Sequence, residues 1–269
     1  MSYIEVEQGV KLFVEDINPG GKYTVVFTHG WPLNHNTFEY QYDVFPHYGV
    51  RCIGIDLRGF GKSDKPWSGY SYDRMAEDIK VVLETMNLND ITLAGHSMGG
   101  AISLRYMAKY DGNRVAKLAL LAAAAPSFVQ RSGYPYGMTV QQVDAFIAGI
   151  YHNRPQVLAN FGGMFFAQPV TPSFMSWFQN LGLEAAGYST IKALESLRDE
   201  DLRADLAKVH VPTGIFHGVL DKVCPYPFAL EMQKGIKNSV LFRFDMSGHA
   251  VYYDELEKFN NTFLQFLNK

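Results

Sequence analysis

Apolar and polar positions follow two rhythms along the chain. Short runs rich in β-branched and aromatic residues recur at Tyr23 to Thr28, Val50 to Ile55, Ile91 to Ala94, Val115 to Leu121, Pro212 to Phe216 and Ser239 to Phe244. Each is too short for a typical helix and is followed by turn-forming or small residues, so each reads as a strand. Between them, Tyr72 to Met86, Met98 to Tyr110, Tyr226 to Gly235 and Asp254 to Leu267 place apolar residues three or four apart, which predicts helices. The opening "YIEVEQGVKLFVED" reads as an antiparallel hairpin that turns at Gln8-Gly9. Strands alternating with helices predict an α/β fold, with a mostly parallel central sheet flanked by helices.

The rhythm fails between about Phe128 and Tyr188. This stretch contains no convincing strand and is crowded with aromatics, Phe146, Phe161, Phe165, Phe174 and Trp177 among them. They are too numerous for a solvated loop. The expected organisation is therefore a core over residues 1–127 and 189–269, interrupted by a helical cap insertion over 128–188. Most of its aromatics should form the cap's own small core, while a few roof an apolar pocket over the sheet.

Composition narrows the function. A chain of 269 residues with a formal net charge of -3 offers no basic field for nucleic acid or anionic lipid, which leaves a small molecule as the expected partner. The longest apolar run, Leu118 to Ala125, is far below the roughly 20 residues of a membrane span. The acids in "MSYIEVEQGVKLFVED" do not suit a signal peptide, so the expected location is cytoplasmic. Cys52 and Cys224 are too few for a disulfide framework and read as free thiols. No His, Cys, Asp or Glu spacing suggests a metal site, and no cofactor is expected. A homo-oligomer is compatible with everything in the chain.

Chemistry gathers at "AGHSMGG", Ala94 to Gly100, where one serine stands among three glycines between a strand and a helix. Gly-x-Ser-x-Gly in that context is a nucleophile elbow: a sharp turn that holds a hydroxyl out at the carboxyl edge of the sheet, beside a helix N-terminus. A serine hydroxyl needs a base and an acid that orients the base. His249, in "DMSGHAVYYDE", follows the last strand and is the candidate base. His217 precedes any usable acid, and His96, next to Ser97, should point away from it. Asp221, in "IFHGVLDKVCP", lies just beyond a strand and is the candidate acid, because "AAAAPS" after Val115 to Leu121 holds no carboxylate. Asp245 and Asp254 read as local caps. The backbone N–H of Met98 would serve one side of an oxyanion hole, and that of Trp31, in the "HGWP" that follows the strand Tyr23 to Thr28, the other. Small residues at Ala122 to Ala125 are expected to leave room near the pocket.

With "DLRGFGKSDKP" between them, these segments resemble the α/β-hydrolase fold, and specifically the small bacterial arylesterases and the cofactor-free haloperoxidases, also called perhydrolases. The resemblance covers nearly the whole chain and is weakest in the cap. It implies Ser97, Asp221 and His249 as the triad, Trp31 and Met98 as oxyanion donors, Phe128 and Val223 as part of the acyl pocket, and Trp31 and Pro32 beside them as substrate-binding residues. It also makes "GFGKS" a structural turn rather than a phosphate loop, with Asp56 and Arg58 as a turn-locking pair and His29 as a loop brace. Pro32, beside the oxyanion aromatic, lacks an N–H and biases Trp31 towards extended conformations. Members of the family noted for making peracids often carry proline there, which implies perhydrolysis beside ester hydrolysis.

The function expected is thus hydrolysis of short-chain alkyl or aryl esters through an acyl-enzyme. A main activity as perhydrolase stays open, as does a lactonase, amidase or carbon–carbon bond hydrolase with the same triad, or a ligand-binding receptor. A dehalogenase or epoxide hydrolase would need an aspartate where Ser97 stands.

Overall fold

The computed structural model describes residues 2–268. Strands β1 (Ser2–Glu7) and β2 (Val10–Ile17) form the expected hairpin, with Gly9 at φ 76° in its turn. They continue into β3 (Tyr23–Thr28), β4 (Val50–Ile55), β5 (Ile91–His96), β6 (Val115–Leu121), β7 (Thr213–Gly218) and β8 (Ser239–Phe244). The eight strands make one sheet in the order β1-β2-β4-β3-β5-β6-β7-β8. Only the β1/β2 and β2/β4 pairs are antiparallel.

Helices cover both faces, which is why β5 and β7 are buried along their whole length. On one face Phe263 of α9 (Leu256–Asn268) stacks on Phe27 of β3, with ring centroids 6.2 Å apart, and on Phe45, at 5.3 Å, just after α1 (Glu39–Val44). On the other, α2 (Tyr72–Thr85) packs beside α3 (Met98–Tyr110), and the Thr28 hydroxyl lies 3.1 Å from that of Ser103 in α3. Phe27 and Thr28 are successive residues of one strand, so they point to opposite faces. The remaining core helices are α7 (Pro227–Gly235) and the short α8 (Val251–Asp254).

The structure differs from the sequence reading at a few places. β7 runs two residues past Phe216 and takes His217 into the sheet, where its side chain is fully buried. The last predicted helix is two, because Glu255 leaves the helical region at φ -119°, ψ 55°. The inserted stretch holds α4 (Val140–Phe165), α5 (Pro172–Leu183) and α6 (Gly187–Asp199), so the expected limit at 188 falls inside a helix. A Thr139/Gln142 capping box starts α4, and the helix bends at Asn153 (φ -155°, ψ 75°), just before Pro155. It therefore has two arms, with the Asn153 side chain accepting from Gln156 N to start the second. Asp56 and Arg58 do not pair: Arg58 donates to Asp78 at 2.6 and 2.7 Å, whereas Asp56 accepts from the backbone N–H groups of His35 and Lys62. The Lys62 bond closes the "GFGKS" turn. Among the described residues no helix is long and apolar enough to cross a membrane.

Candidate active site

Ser97 lies where the chain leaves β5 for α3, at φ 52°, ψ -119°. A side chain at positive φ is strained, and such strain persists only where surrounding bonds fix it. Here the Ser97 N–H donates to the Leu121 carbonyl of β6 at 3.0 Å, while the Ser97 carbonyl accepts from Ala101 and Ala124 at 3.1 and 2.9 Å. A Cβ on Gly99 would lie 2.3 Å from the Thr28 carbonyl oxygen, so only glycine lets α3 start this close to the end of β3.

The loop after β7 presents Asp221. One carboxylate oxygen accepts from the backbone N–H groups of Val223 and Cys224, both at 2.8 Å, and the other accepts from His249 Nδ1 at 2.8 Å. Both side chains are fully buried. That bond leaves His249 Nε2 with its lone pair free, and among the described residues this buried atom has no hydrogen-bond partner. The Ser97 hydroxyl makes no hydrogen bond to it here; such contacts commonly tighten only when substrate is bound.

Two histidines that sequence reasoning set aside brace these loops. His96 Nε2 donates to the His249 carbonyl at 3.1 Å, and the two rings lie 4.7 Å apart. His217 Nε2 donates to the Cys224 carbonyl at 2.7 Å, holding the turn that carries Asp221. Burial pushes both imidazoles below the usual histidine range, further aided for His96 by the His249 beside it, so each stays neutral with its proton on the clamping nitrogen. The signal available in the sequence was only their position at the ends of buried strands. His29 braces the oxyanion loop as expected: its Nε2 accepts from Leu57 N at 3.0 Å.

The cap also grips the loop that carries His249. The Phe165 carbonyl, at the end of α4, accepts from His249 N at 2.8 Å and Ala250 N at 3.2 Å, and the Phe165 ring stands edge-on to His249 with centroids 4.8 Å apart. Asp254 accepts from Ala167 N and Gln168 N on the cap side and from Gly248 N beside His249.

The two expected oxyanion donors flank Ser97. A Cβ on Gly30 would lie 2.7 Å from the Ser97 Cβ, so the backbone leading to Trp31 runs directly against the Ser97 side chain. Neither Trp31 N–H nor Met98 N–H has an acceptor among the described residues. The Trp31 indole is fixed by donation to the Thr190 carbonyl at 2.9 Å and by an edge-to-face contact with Phe161.

Ser97 opens into an apolar cavity of about 20 Å³, room for roughly one water-sized group. Trp31, Phe128 and Val223 line it, and so do Phe146 and Phe161 from the cap's aromatic set. Pro32 is not part of the lining; its ring faces Gly182 of α5. Ala122 to Ala125 are buried but do not line the cavity either, and Ala123 instead packs on Gly100 of α3. Sequence reasoning missed the aliphatic lining, including Met138, Val143, Met164, Leu194 and Leu197, because aliphatic residues in a cap look alike whether they face core or cavity. Phe165, Phe166, Phe174 and Phe178 pack on one another as the cap's own core.

Comparison with known proteins agrees with this architecture. A chain of Bacillus subtilis described as an AB hydrolase superfamily protein, YisY, is 52% identical over 99% of this chain and 98% of its own length. A bifunctional esterase/perhydrolase from Acinetobacter calcoaceticus is 28% identical over 99% of both chains. The solved structure of an esterase from Exiguobacterium antarcticum superposes with a TM-score of 0.97, at 46% identity, over 100% of this chain and 99% of its own. The strand order, the elbow at Ser97 and a match over residues 23–256 to the family described as alpha/beta hydrolase fold lead to one conclusion, that the chain belongs to that hydrolase family.

Proposed function

We propose that the protein is a serine carboxylesterase acting on short-chain alkyl or aryl esters, with Ser97 as nucleophile, His249 as base and Asp221 as orienting acid. The observation that carries this reading is the 2.8 Å bond from His249 Nδ1 to Asp221, which leaves Nε2 unprotonated and buried beside a cavity that also contains Ser97. Ser97 Oγ attacks the ester carbonyl as its proton passes to His249 Nε2. The carbonyl oxygen gains negative charge and lies between the N–H groups of Trp31 and Met98, each such donor being worth roughly 2.7–4 kcal/mol in the transition state. The C–O bond to the alcohol breaks, the leaving oxygen takes the proton from His249, and the acyl group stays on Ser97. Water then attacks the acyl-enzyme with the same base assistance and releases the acid. The small apolar cavity suits an acetyl-sized group. The two buried free cysteines fit a reducing compartment such as the cytoplasm.

Perhydrolysis is the second activity of the same acyl-enzyme, with hydrogen peroxide replacing water and a peracid leaving. Pro32 beside the Trp31 donor and the likeness to an esterase/perhydrolase support it. Hydrolysis of p-nitrophenyl acetate by the wild type, absent in Ser97→Ala, is the expected result; equal rates in both proteins refute the assignment. In the same preparation, acetate and peroxide should give peracid, and ester hydrolysis without any peracid removes the second activity.

A further inference from the structure

The two arms of α4 fold back at Asn153 and Pro155, and a groove of about 350 Å³ lies between them on the outer surface of the cap. It is lined by Met138, Gln142, Ala145, Phe146, Val157 and Asn160. Met138 and Phe146 also line the cavity of about 20 Å³ that contains Ser97. These two side chains are therefore the partition between a confined reaction site and a much larger apolar space. Both are half-buried, with exposed Gln142 and Ala145 next to Phe146 on the same arm. Met is unbranched and flexible, and partly exposed side chains change rotamer quickly. The partition is thus a lightly restrained part of the cavity wall. Trp31, held by Thr190 and Phe161, and Val223, held by its bond to Asp221, are fixed by contrast.

We propose that Met138 and Phe146 form a chain-length gate, and that the protein also takes medium-chain acyl groups, octanoyl and decanoyl, whose tails pass the gate and lie in the groove between the arms of α4. The proposal rests on the ester reading above and extends its substrate class. Acetyl groups would use the inner cavity alone. Longer tails would exchange water for Val157, Ala145 and the outer face of Phe146, a favourable burial of apolar surface.

The test compares kcat/KM for p-nitrophenyl octanoate and acetate in the wild type, Phe146→Ala, Asn160→Trp and the double variant, beside calorimetric binding of decanoate and butyrate. Phe146→Ala should raise the octanoate-to-acetate ratio about tenfold, within the range a few pocket methylenes command. Asn160→Trp, which fills the outer groove from an exposed position, should lower that ratio and cancel the gain in the double variant. Decanoate should bind the wild type more tightly than butyrate, and Asn160→Trp should abolish the difference. A ratio insensitive to Asn160→Trp, or a gain from Phe146→Ala that survives in the double variant, overturns the gate. The binding arm needs no turnover, so it decides the gate even if Ser97→Ala shows the ester reading to be wrong: equal decanoate affinity in the wild type and Asn160→Trp refutes it.

Discussion

Gly30 shows how narrow the tolerances are at the scale of one residue. Its missing side chain leaves space that the Ser97 Cβ and the His96 Nδ1 occupy, 2.7 and 2.8 Å from where a Cβ would be. Gly30→Ala must displace either the oxyanion loop or the elbow. Because the elbow is held by three backbone bonds and the loop by fewer, the loop is expected to move. Removing one oxyanion donor costs about 10²–10³ in kcat, so Gly30→Ala should lose about that much ester hydrolysis while circular dichroism keeps its native form. A fall of less than about threefold would show that Trp31 N–H takes no part. The same scale explains why the candidate catalytic residues could be named from sequence. Ser97, Asp221 and His249 each follow a strand at its carboxyl end, and backbone register alone brings such positions to one edge. Pro32 neighbours the lining residue Trp31 in sequence, yet its ring faces away from the pocket, towards Gly182.

Elements decide what the residues can do together. α4 is both wall and anchor: Val143 and Phe146 of its first arm and Phe161 and Met164 of its second line the cavity, while its last turn holds the His249 loop through the Phe165 carbonyl. Asp254 completes the anchor by accepting three backbone N–H groups from the two sides of the junction. Replacing it with alanine leaves three partly buried donors unpaired, at a cost of about 2 kcal/mol or more. Asp254→Ala is therefore expected to lose ester hydrolysis at a temperature several degrees below that at which its far-ultraviolet circular dichroism melts. Coincident loss of both signals would mean that the junction melts only with the whole fold. The strands and core helices were legible because period-two and period-3.6 patterns survive wherever one face is buried. The cap was legible only as an interruption, since helices wrapped in aromatics and packed on one another lack a clean polar face. The limit at 188 illustrates this, because α6 begins one residue earlier and contributes Leu194 and Leu197 to the cavity from beyond it.

Across the whole molecule, buried imidazoles set the acid tolerance. Burial pushes His29 down to about 4 from 6.5 and moves His96 and His217 in the same direction. Each refuses in the fold a proton that the unfolded chain accepts. Their contribution is complete above pH 6.5 and is lost as pH falls below it; for His29 the loss runs from 6.5 to about 4 and reaches about 2 kcal/mol by pH 5. His35 opposes them: burial disfavours its charge, but the Asp56 and Glu15 carboxylates outweigh that and raise it, so it stabilises below 6.5 and loses this as pH rises through its raised value. Three against one leaves a net loss on acidification. Urea unfolding should give a lower free energy at pH 5 than at pH 7, with a smaller gap in His29→Asn; an equal free energy at both pH values would contradict the neutral burial of these rings. The anchor at Phe165 finally fixes how this protein can be recombined. A chimera that imports another cap can exchange residues 128–160 at the cost of new cavity walls at Phe128, Met138, Val143 and Phe146, but its splice points must leave 165–168 with their native partners, because that short stretch belongs structurally to the His249 loop and only by chain order to the cap.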